Sequence, residues 1–351
     1  GGQDELVFDG GSFVVGSDGN IIHEASQFVE EVFSFDIDLE IKDINRENKL
    51  IINEKNTDLS PIKSTKPLGE LESMYAALEL GLSDYVKKNK FKKVLVGISG
   101  GIDSALTATI AVDSLSSENV IGVAMPSRFN PESSLKDAED LAKNLNIELK
   151  TINIEETAEK FKDLIGSNID ESLESVVKEN IQARIRGNIL MALSNQLGAM
   201  VVSTGNKSEM AVGYSTLYGD LVGGFALLKD VYKTEVYKLS NYRNSISKAI
   251  PKNIISKKPS AELSEDQYDS DTLPEYDLLD KILKMYIEHD YSSEKIIQSG
   301  IEKDIVFDIL EKIDGNEYKR KQVAPGVKLT SRAFGKDRRM PITNTYIRDR
   351  Y

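Results

Sequence analysis

The sequence predicts an α/β protein: a doubly wound parallel sheet with helices on both faces, preceded by a short β segment. Three observations carry this. From about residue 67, short apolar runs alternate with stretches of helical spacing, the pattern of parallel strands joined by crossover helices. Glycine-containing turns follow two of these runs, where an open α/β sheet binds its ligands. Before residue 67 the text changes to period-two alternation and hairpin punctuation.

Taken in order, Phe13-Val14-Val15 and Ile21-Ile22 flank Ser17-Asp18-Gly19-Asn20, a hairpin signal. Phe33 to Leu39 alternates apolar and polar residues like a half-buried strand. Three strands are too few to stand alone, so residues 1–40 must pack on something else or end something larger. Residues 41–66 are polar, broken by Asn, Asp and Pro61, and read as a linker. Leu71 to Lys88 has helical spacing, and Val94 to Ile98 is the first buried strand. A helix over Ala105 to Leu115 follows, then a strand at Val120–Ala124. Pro131 to Leu145 is a helix with Pro at its start. Glu148 to Ile154 alternates as a third strand, and a long helix covers about Glu171 to Leu197. Ala199–Ser203 is the fourth strand and runs into Thr204-Gly205-Asn206. The glycines of Gly213 to Gly224 predict a flexible loop with the character of a lid. Residues 251–276 read as a second loop, and Asp277 to Asp314 returns to helix.

The 351 residues suffice for one large or two medium domains. No apolar run approaches the roughly 18 residues that would span a membrane, and no basic-then-apolar leader pattern is present. The chain has no cysteine, which excludes disulfides, thiolate zinc sites and thiol nucleophiles within it and fits a cytoplasmic protein. A net charge of −13 argues against nucleic-acid binding. The charge is uneven: residues 319–350 hold ten Lys/Arg and two acids, a tail of +8 on a remainder of −21. Such a tail is either a solvated end or a segment folded back onto an anionic substrate or a partner subunit.

The most specific stretch is Gly97-Ile98-Ser99-Gly100-Gly101-Ile102-Asp103-Ser104, between the first strand and its helix. A strand, a tight glycine turn and a helix N-terminus present backbone N–H groups to an anion. No Gly-Lys-Ser/Thr follows, so it is not a P-loop, and the glycines do not fit the dinucleotide fingerprint. Asp103 stands where phosphate would bind. A carboxylate beside phosphate is repulsive unless Mg²⁺ bridges the two. The plainer reading is a βα turn in which Asp103 and Ser104 cap the helix. The Ser-Gly-Gly-x-Asp-Ser order resembles the loop of the ATP pyrophosphatases, of adenine nucleotide alpha hydrolase-like fold, which split ATP between its α- and β-phosphates.

Three further clusters accompany the loop. Asn180 and Arg184 share one helix face, able to meet the hydroxyls and phosphates of a dinucleotide or simply solvated. Thr204-Gly205-Asn206-Lys207-Ser208-Glu209 offers a hydroxyl, a cation and an acid after a strand. Tyr218-Gly219-Asp220 and Leu228-Lys229-Asp230-Val231-Tyr232-Lys233 follow the glycine loop, and lysines there are surface charges by default.

Together and in this order, these segments resemble the NAD synthetases. Lys258-Pro259-Ser260-Ala261-Glu262-Leu263, Lys319-Arg320-Lys321 and Arg332-Ala333-Phe334-Gly335 through Ile342 extend the resemblance over about residues 67–345. It implies a ligase that uses ATP and Mg²⁺ to amidate deamido-NAD with ammonia, through an acyl-adenylate, releasing AMP and pyrophosphate. Gly97, Ile98, Ser99, Gly100, Gly101, Ile102, Asp103 and Ser104, with Thr204 and Lys233, would bind ATP. Asp103 and Glu209 would hold the metal. Asn180, Arg184, Glu209, Asp220 and Lys321 would bind deamido-NAD, and Asp220 would orient or deprotonate ammonium. Asp103, Glu209 and Asp220 are thus the implied catalytic set. The family's dinucleotide site lies at a dimer interface, which implies a homodimer.

The glutamine-dependent form adds a nitrilase-like glutaminase domain, and Gly1 to Ser12 resembles a late segment of it. Residues 1–40 are then a remnant of that domain, 41–66 a linker, and 67–351 the synthetase. With no cysteine, the chain is expected to use free ammonia rather than hydrolyse glutamine. Two other readings stay open on sequence alone: another ATP pyrophosphatase ligase, such as a GMP synthetase, and a non-catalytic nucleotide-binding module.

Overall fold

The computed structural model describes residues 1–35, 65–169 and 172–343. Two compact units emerge: Gly1–Val7 with Glu70–Tyr351, and Phe8–Gly69. The first seven residues thus group with the larger unit, while the expected boundary near residue 40 and most of the expected linker lie outside the described residues.

The larger unit opens with two-residue antiparallel strands β1 (Gly2–Gln3) and β2 (Leu6–Val7). They are sewn down by Gly2 N–H to Asp84 Oδ2 at 2.6 Å and by Lys328 N–H to the Glu5 carbonyl at 2.7 Å. The smaller unit is the expected hairpin, β3 (Phe13–Val15) against β4 (Ile21–Glu24), with a register shift between Val14 and Val15. Within it, His23 is buried and packs on Phe33 with ring centroids 4.2 Å apart. The alternation at Phe33 does not form a strand through Phe35, and its remainder lies outside the described residues.

Helix α1 (Glu70–Lys88) buries Leu78, Leu82 and Val86, four residues apart on one stripe. Each such side chain contributes roughly 1.5–3 kcal/mol by leaving water. The sheet then follows in α/β order: β5 (Lys93–Gly97), α2 (Ile102–Leu115), β6 (Val120–Ala124), α3 (Glu132–Leu145) and β7 (Glu148–Thr151). Next come α4 (Glu155–Gly166), α5 (Ser175–Leu197), β8 (Ala199–Ser203), α6 (Lys207–Val212) and β9 (Phe225–Ala226). All strands are parallel in the order β7-β6-β5-β8-β9, with Leu95 opposite both Ile121 and Val201. Strand order reverses between β5 and β8, the point where an open sheet leaves a ligand crevice.

Alternate strand residues serve opposite faces. Leu95, Ile121, Val123 and Val201 bury against Ile154 and Ala158 and against Ile181, Ile185 and Leu190 of α5. On the other face α2 packs on β5 and β6, with α1 and α7 (Lys233–Ile246) against it. There Asp113 receives Arg243 at 2.5 and 2.9 Å and the Tyr75 hydroxyl at 2.6 Å. Burial and the Asp113 carboxylate push nearby Glu79 up to about 7, with Arg243 opposing.

After the short α8 (Lys252–Ser256), the expected helix over Asp277–Asp314 is three: α9 (Tyr276–Leu283), α10 (Ser293–Gln298) and α11 (Lys303–Gly315). Left-handed residues break it, Asp290 at φ 56° and Gly300 at φ 92°. Leu279, Ile282, Leu283, Ile296, Val306 and Ile313 form a second core with Val212 and Tyr232. Helix α12 (Glu317–Arg320) starts the basic C-terminal segment. Around Thr330 and Arg332 that segment folds back. The fully buried Lys207 ammonium meets Asp230 at 2.8 Å, Thr330 Oγ1 at 2.6 Å and the Arg332 carbonyl at 2.9 Å. Among the described residues, no helix is long and apolar enough to cross a membrane.

Candidate active site

A crevice of about 480 Å³ lies outside the carboxyl ends of β5, β6 and β8. The glycine turn forms its floor. Gly100 has φ +80°, and a Cβ there would lie 2.4 Å from the Ser134 carbonyl oxygen, so only glycine fits without distortion. Gly101 is the N-cap of α2, with no side chain capping the helix. The first-turn N–H groups are therefore left for a ligand. Ser104 turns inward instead, donating to the Gly101 carbonyl at 3.0 Å and accepting the Ser99 N–H at 3.2 Å. Neither Asp103 nor Ser104 is the cap.

Asp103 faces across the strand-order reversal. Its Oδ1 accepts Asn206 Nδ2 at 2.9 Å, and its Oδ2 accepts Lys233 Nζ at 2.5 Å. The same ammonium lies 3.2 Å from Glu209 Oε1. Asn206 and Glu209 make a reciprocal capping box at the start of α6, which fixes both side chains. Burial pushes the Glu209 carboxyl up, Lys233 opposes this, and Asp103 adds to it. Burial alone would lower Lys233, but the Asp103 and Glu209 carboxylates hold it above the usual lysine range. Asp269 is buried nearby, with Oδ2 accepting the Tyr276 hydroxyl at 2.7 Å. The Asp103 carboxylate and the raised Glu209 carboxyl thus share one ammonium beside the glycine turn.

That donor set bears on the expected magnesium. Among the described residues, no three His, Cys, Asp or Glu side chains come together as a metal cage. Magnesium does not need one. It is commonly held by one or two carboxylates plus substrate phosphates. Asp103 and Glu209, on either side of the Lys233 ammonium beside the glycine turn, match that pattern of donors.

The crevice has two characters. Over β6 the lining is apolar, with Ile98, Val123, Met125, Ala138, Leu190 and Ile254. Beyond β8 it is polar. Thr216 donates its N–H to Asp220 Oδ1 at 2.6 Å and its hydroxyl to Asn180 Oδ1 at 2.7 Å, joining two expected site residues. Asp220 remains open to solvent yet is crowded by the crevice walls, and that crowding raises its carboxyl to about 6. Thr204 also lines the crevice.

Two expected residues lie elsewhere. Arg184 is exposed and donates Nε to the Leu217 carbonyl at 3.2 Å; Lys321 is exposed, 3.8 Å from Glu317. Their neighbours Arg186 and Lys319 line the crevice instead. Arg186 donates Nε to the Met125 carbonyl at 3.0 Å, and burial pulls its guanidinium down to about 10. Lys319 donates to the Gly213 and Ser215 carbonyls at 2.7 and 2.9 Å. Lys257 and Glu262 line the crevice as well, and no spacing in the sequence marks either as a site residue. The Asn-x-x-Glu spacing of Asn206 and Glu209 was a usable capping signal.

Comparison with known proteins places the chain in one family. The NAD synthase family model matches residues 74–323. The chain is similar to a glutamine-dependent NAD(+) synthetase of Thermotoga maritima, 47% identical over 99% of this chain and 63% of that protein. It resembles the structure of glutamine-dependent NAD+ synthetase from Acinetobacter baumannii in complex with ADP (TM-score 0.65, 41% identity, 98% of this chain and 60% of that one). It also resembles the NH3-dependent NAD synthetase of Campylobacter jejuni (TM-score 0.58, 29% identity, 71% of this chain and 95% of that one). The chain thus spans less than two thirds of the glutamine-dependent relatives it matches.

Proposed function

Since the chain belongs to the NAD synthase family, we propose that it catalyses the ATP-dependent amidation of deamido-NAD to NAD. The observation that carries this is Lys233 held between Asp103 and Glu209 at the mouth of the glycine turn. A pyridine carboxylate is a poor acylating agent because its oxygen leaves badly. In the proposed first step that oxygen attacks the α-phosphorus of ATP, the bond to pyrophosphate breaks, and an acyl-adenylate forms. In the second, ammonia nitrogen attacks the acyl carbon, AMP leaves, and one proton is released.

The apolar lining over β6 suits adenine, and the turn from Gly97 to Ser104 suits the phosphates. Thr204 and Lys233 would meet the polyphosphate, where the ammonium offsets charge building up in the transition state. Asp103 and Glu209 would hold magnesium, which supplies Lewis-acid polarisation of phosphate oxygens. Asn180 and Asp220 would position deamido-NAD, and Asp220, with its raised carboxyl, is the proposed acceptor for the ammonium proton. Arg184 and Lys321 would meet the dinucleotide outside the crevice, on a surface completed by a second copy of the chain.

The nitrogen source is proposed to be free ammonia, because the chain contains no cysteine to attack glutamine. The test mixes the purified chain with ATP, magnesium and deamido-NAD and compares ammonium with glutamine. NAD, AMP and pyrophosphate in equal amounts with ammonium alone are expected. Absence of NAD with ammonium, or turnover of xanthosine monophosphate instead, would overturn the reading. Glutamine-driven synthesis by the chain alone would overturn the nitrogen assignment.

A further inference from the structure

Glu262 has no role in the chemistry above, yet it is among the most constrained side chains in the crevice wall. Its backbone is left-handed at φ 51°, a conformation that costs a non-glycine residue and persists only where its surroundings enforce it. Its side chain enforces it. Oε1 accepts the Ser134 hydroxyl at 2.8 Å and also the Lys257 ammonium. Oε2 accepts Asn130 Nδ2 at 2.9 Å. Lys257 in turn donates to Ser134 Oγ at 2.5 Å. Glu262 is 9% exposed, so these bonds are shielded from competition by water.

The partners matter more than their number. Ser134 belongs to α3, and its carbonyl oxygen sits against Gly100 of the phosphate turn. Asn130 passes the contact on: its Oδ1 accepts Arg186 Nη2 at 3.1 Å and the Ser127 N–H at 2.8 Å. Gln182 of α5 donates to the Leu263 carbonyl at 2.9 Å, tying down the residue after Glu262. One carboxylate therefore joins the segment 257–263 to the wall of the phosphate turn and to the arginine beside Met125. Asn130, Ser134, Arg186, Lys257, Glu262 and Leu263 all line the crevice, and Arg186 reaches the Met125 carbonyl in its apolar part.

We propose that Glu262 is a positioning residue for ATP: it clasps residues 257–263 onto Ser134 and Asn130, and so sets Arg186 and the roof of the adenine-side half. This rests on the assignment of that half to the adenine nucleotide. Removing the carboxylate frees Lys257, leaves Asn130 to turn, and unseats Arg186, all on one side of the crevice. ATP affinity should suffer, whereas the dinucleotide half keeps its own hydrogen bonds.

The test measures ATP binding by calorimetry, without turnover, alongside steady-state kinetics on the full chain. Glu262→Ala is expected to weaken ATP at least tenfold in Kd and KM, with kcat at saturating ATP and KM for deamido-NAD changed less than threefold. Glu262→Gln, which keeps the shape but loses the charge, should fall between. Lys257→Ala should weaken ATP too, and the Lys257→Ala/Glu262→Ala double variant should be no worse than Glu262→Ala, because both cuts open one clasp. Unchanged ATP affinity in a folded Glu262→Gln or Lys257→Ala protein overturns the proposal, as does an equal loss for both substrates. If Glu262→Ala fails to fold, those two variants decide. Since binding is read directly, a chain that bound ATP but made no NAD would refute the reaction and leave the clasp standing.

Discussion

Lys233 and Asp103, 130 residues apart in sequence, meet at 2.5 Å where α7 and the phosphate turn converge. The lysine is 4% exposed and serves Glu209 as well, so one ammonium meets two acids on the crevice wall.

Replacing Lys233 with Met leaves Asp103 and Glu209 facing each other uncompensated. Stability should fall by roughly 3 kcal/mol, the low end for breaking a buried pair, because the crevice still wets both acids. Urea unfolding monitors this. Magnesium should recover part of the loss, since a cation then replaces the ammonium.

Asp103→Asn keeps the shape and can still accept from Asn206. Turnover should drop by roughly a hundredfold or more, the scale for losing one preorganised electrostatic group. ATP affinity should drop far less. Pyrophosphate release and direct ATP binding separate the two.

Gly100→Ala places a methyl against the Ser134 carbonyl and demands a left-handed alanine. A loss of roughly 1–3 kcal/mol is expected from the backbone alone. Weakened ATP binding should accompany the lower melting temperature, because the turn must move to relieve the contact.

Glu79 supplies a pH signature remote from the chemistry. Its carboxyl is raised from 4.5 to about 7 by burial and the Asp113 carboxylate. A raised folded pKa means that the native state binds the proton more tightly. Its contribution is therefore complete below about pH 4.5 and is lost as pH rises through about 7. Glu79→Gln should remove that loss. Between pH 5 and 8 the variant should gain on the unmutated chain by on the order of 1–2 kcal/mol in urea melts, about half of the full shift because solvent reaches and screens this carboxyl.

Much of this arrangement was legible in the residues. Val94–Val96, Val120–Ala124 and Ala199–Ser203 are buried on both faces, so they read as unbroken apolar runs and their limits hold nearly to the residue. Strand β9 has two residues, too few for any period to register. Arg184 shows the limit of pairing residues by i,i+4 spacing. Asn180 sits at one edge of the α5 arc that includes Ala183, Arg186, Gly187 and Leu190, and a further turn of about 40° carries Arg184 past that edge. Lys321 and Lys319 lie two positions apart on one helical turn and so point to opposite sides. Sequence order names the motif, but the helix phase against the crevice decides which side chain enters it. Glu262 was visible as part of a familiar run, yet its partners Asn130 and Ser134 lie about 130 residues earlier and only folding brings them near.

The strand order has a temporal consequence. Asp103 follows β5 and Glu209 follows β8, neighbours in the sheet with more than a hundred residues of chain between them. The β6 and β7 crossovers can close first, since they join adjacent segments, whereas β5–β8 pairing must first meet a long loop-closure cost. A chain emerging from the ribosome can therefore complete the phosphate turn well before it has any acid or lysine to set opposite it. The proposed nucleotide site is therefore complete only once β8 has paired with β5.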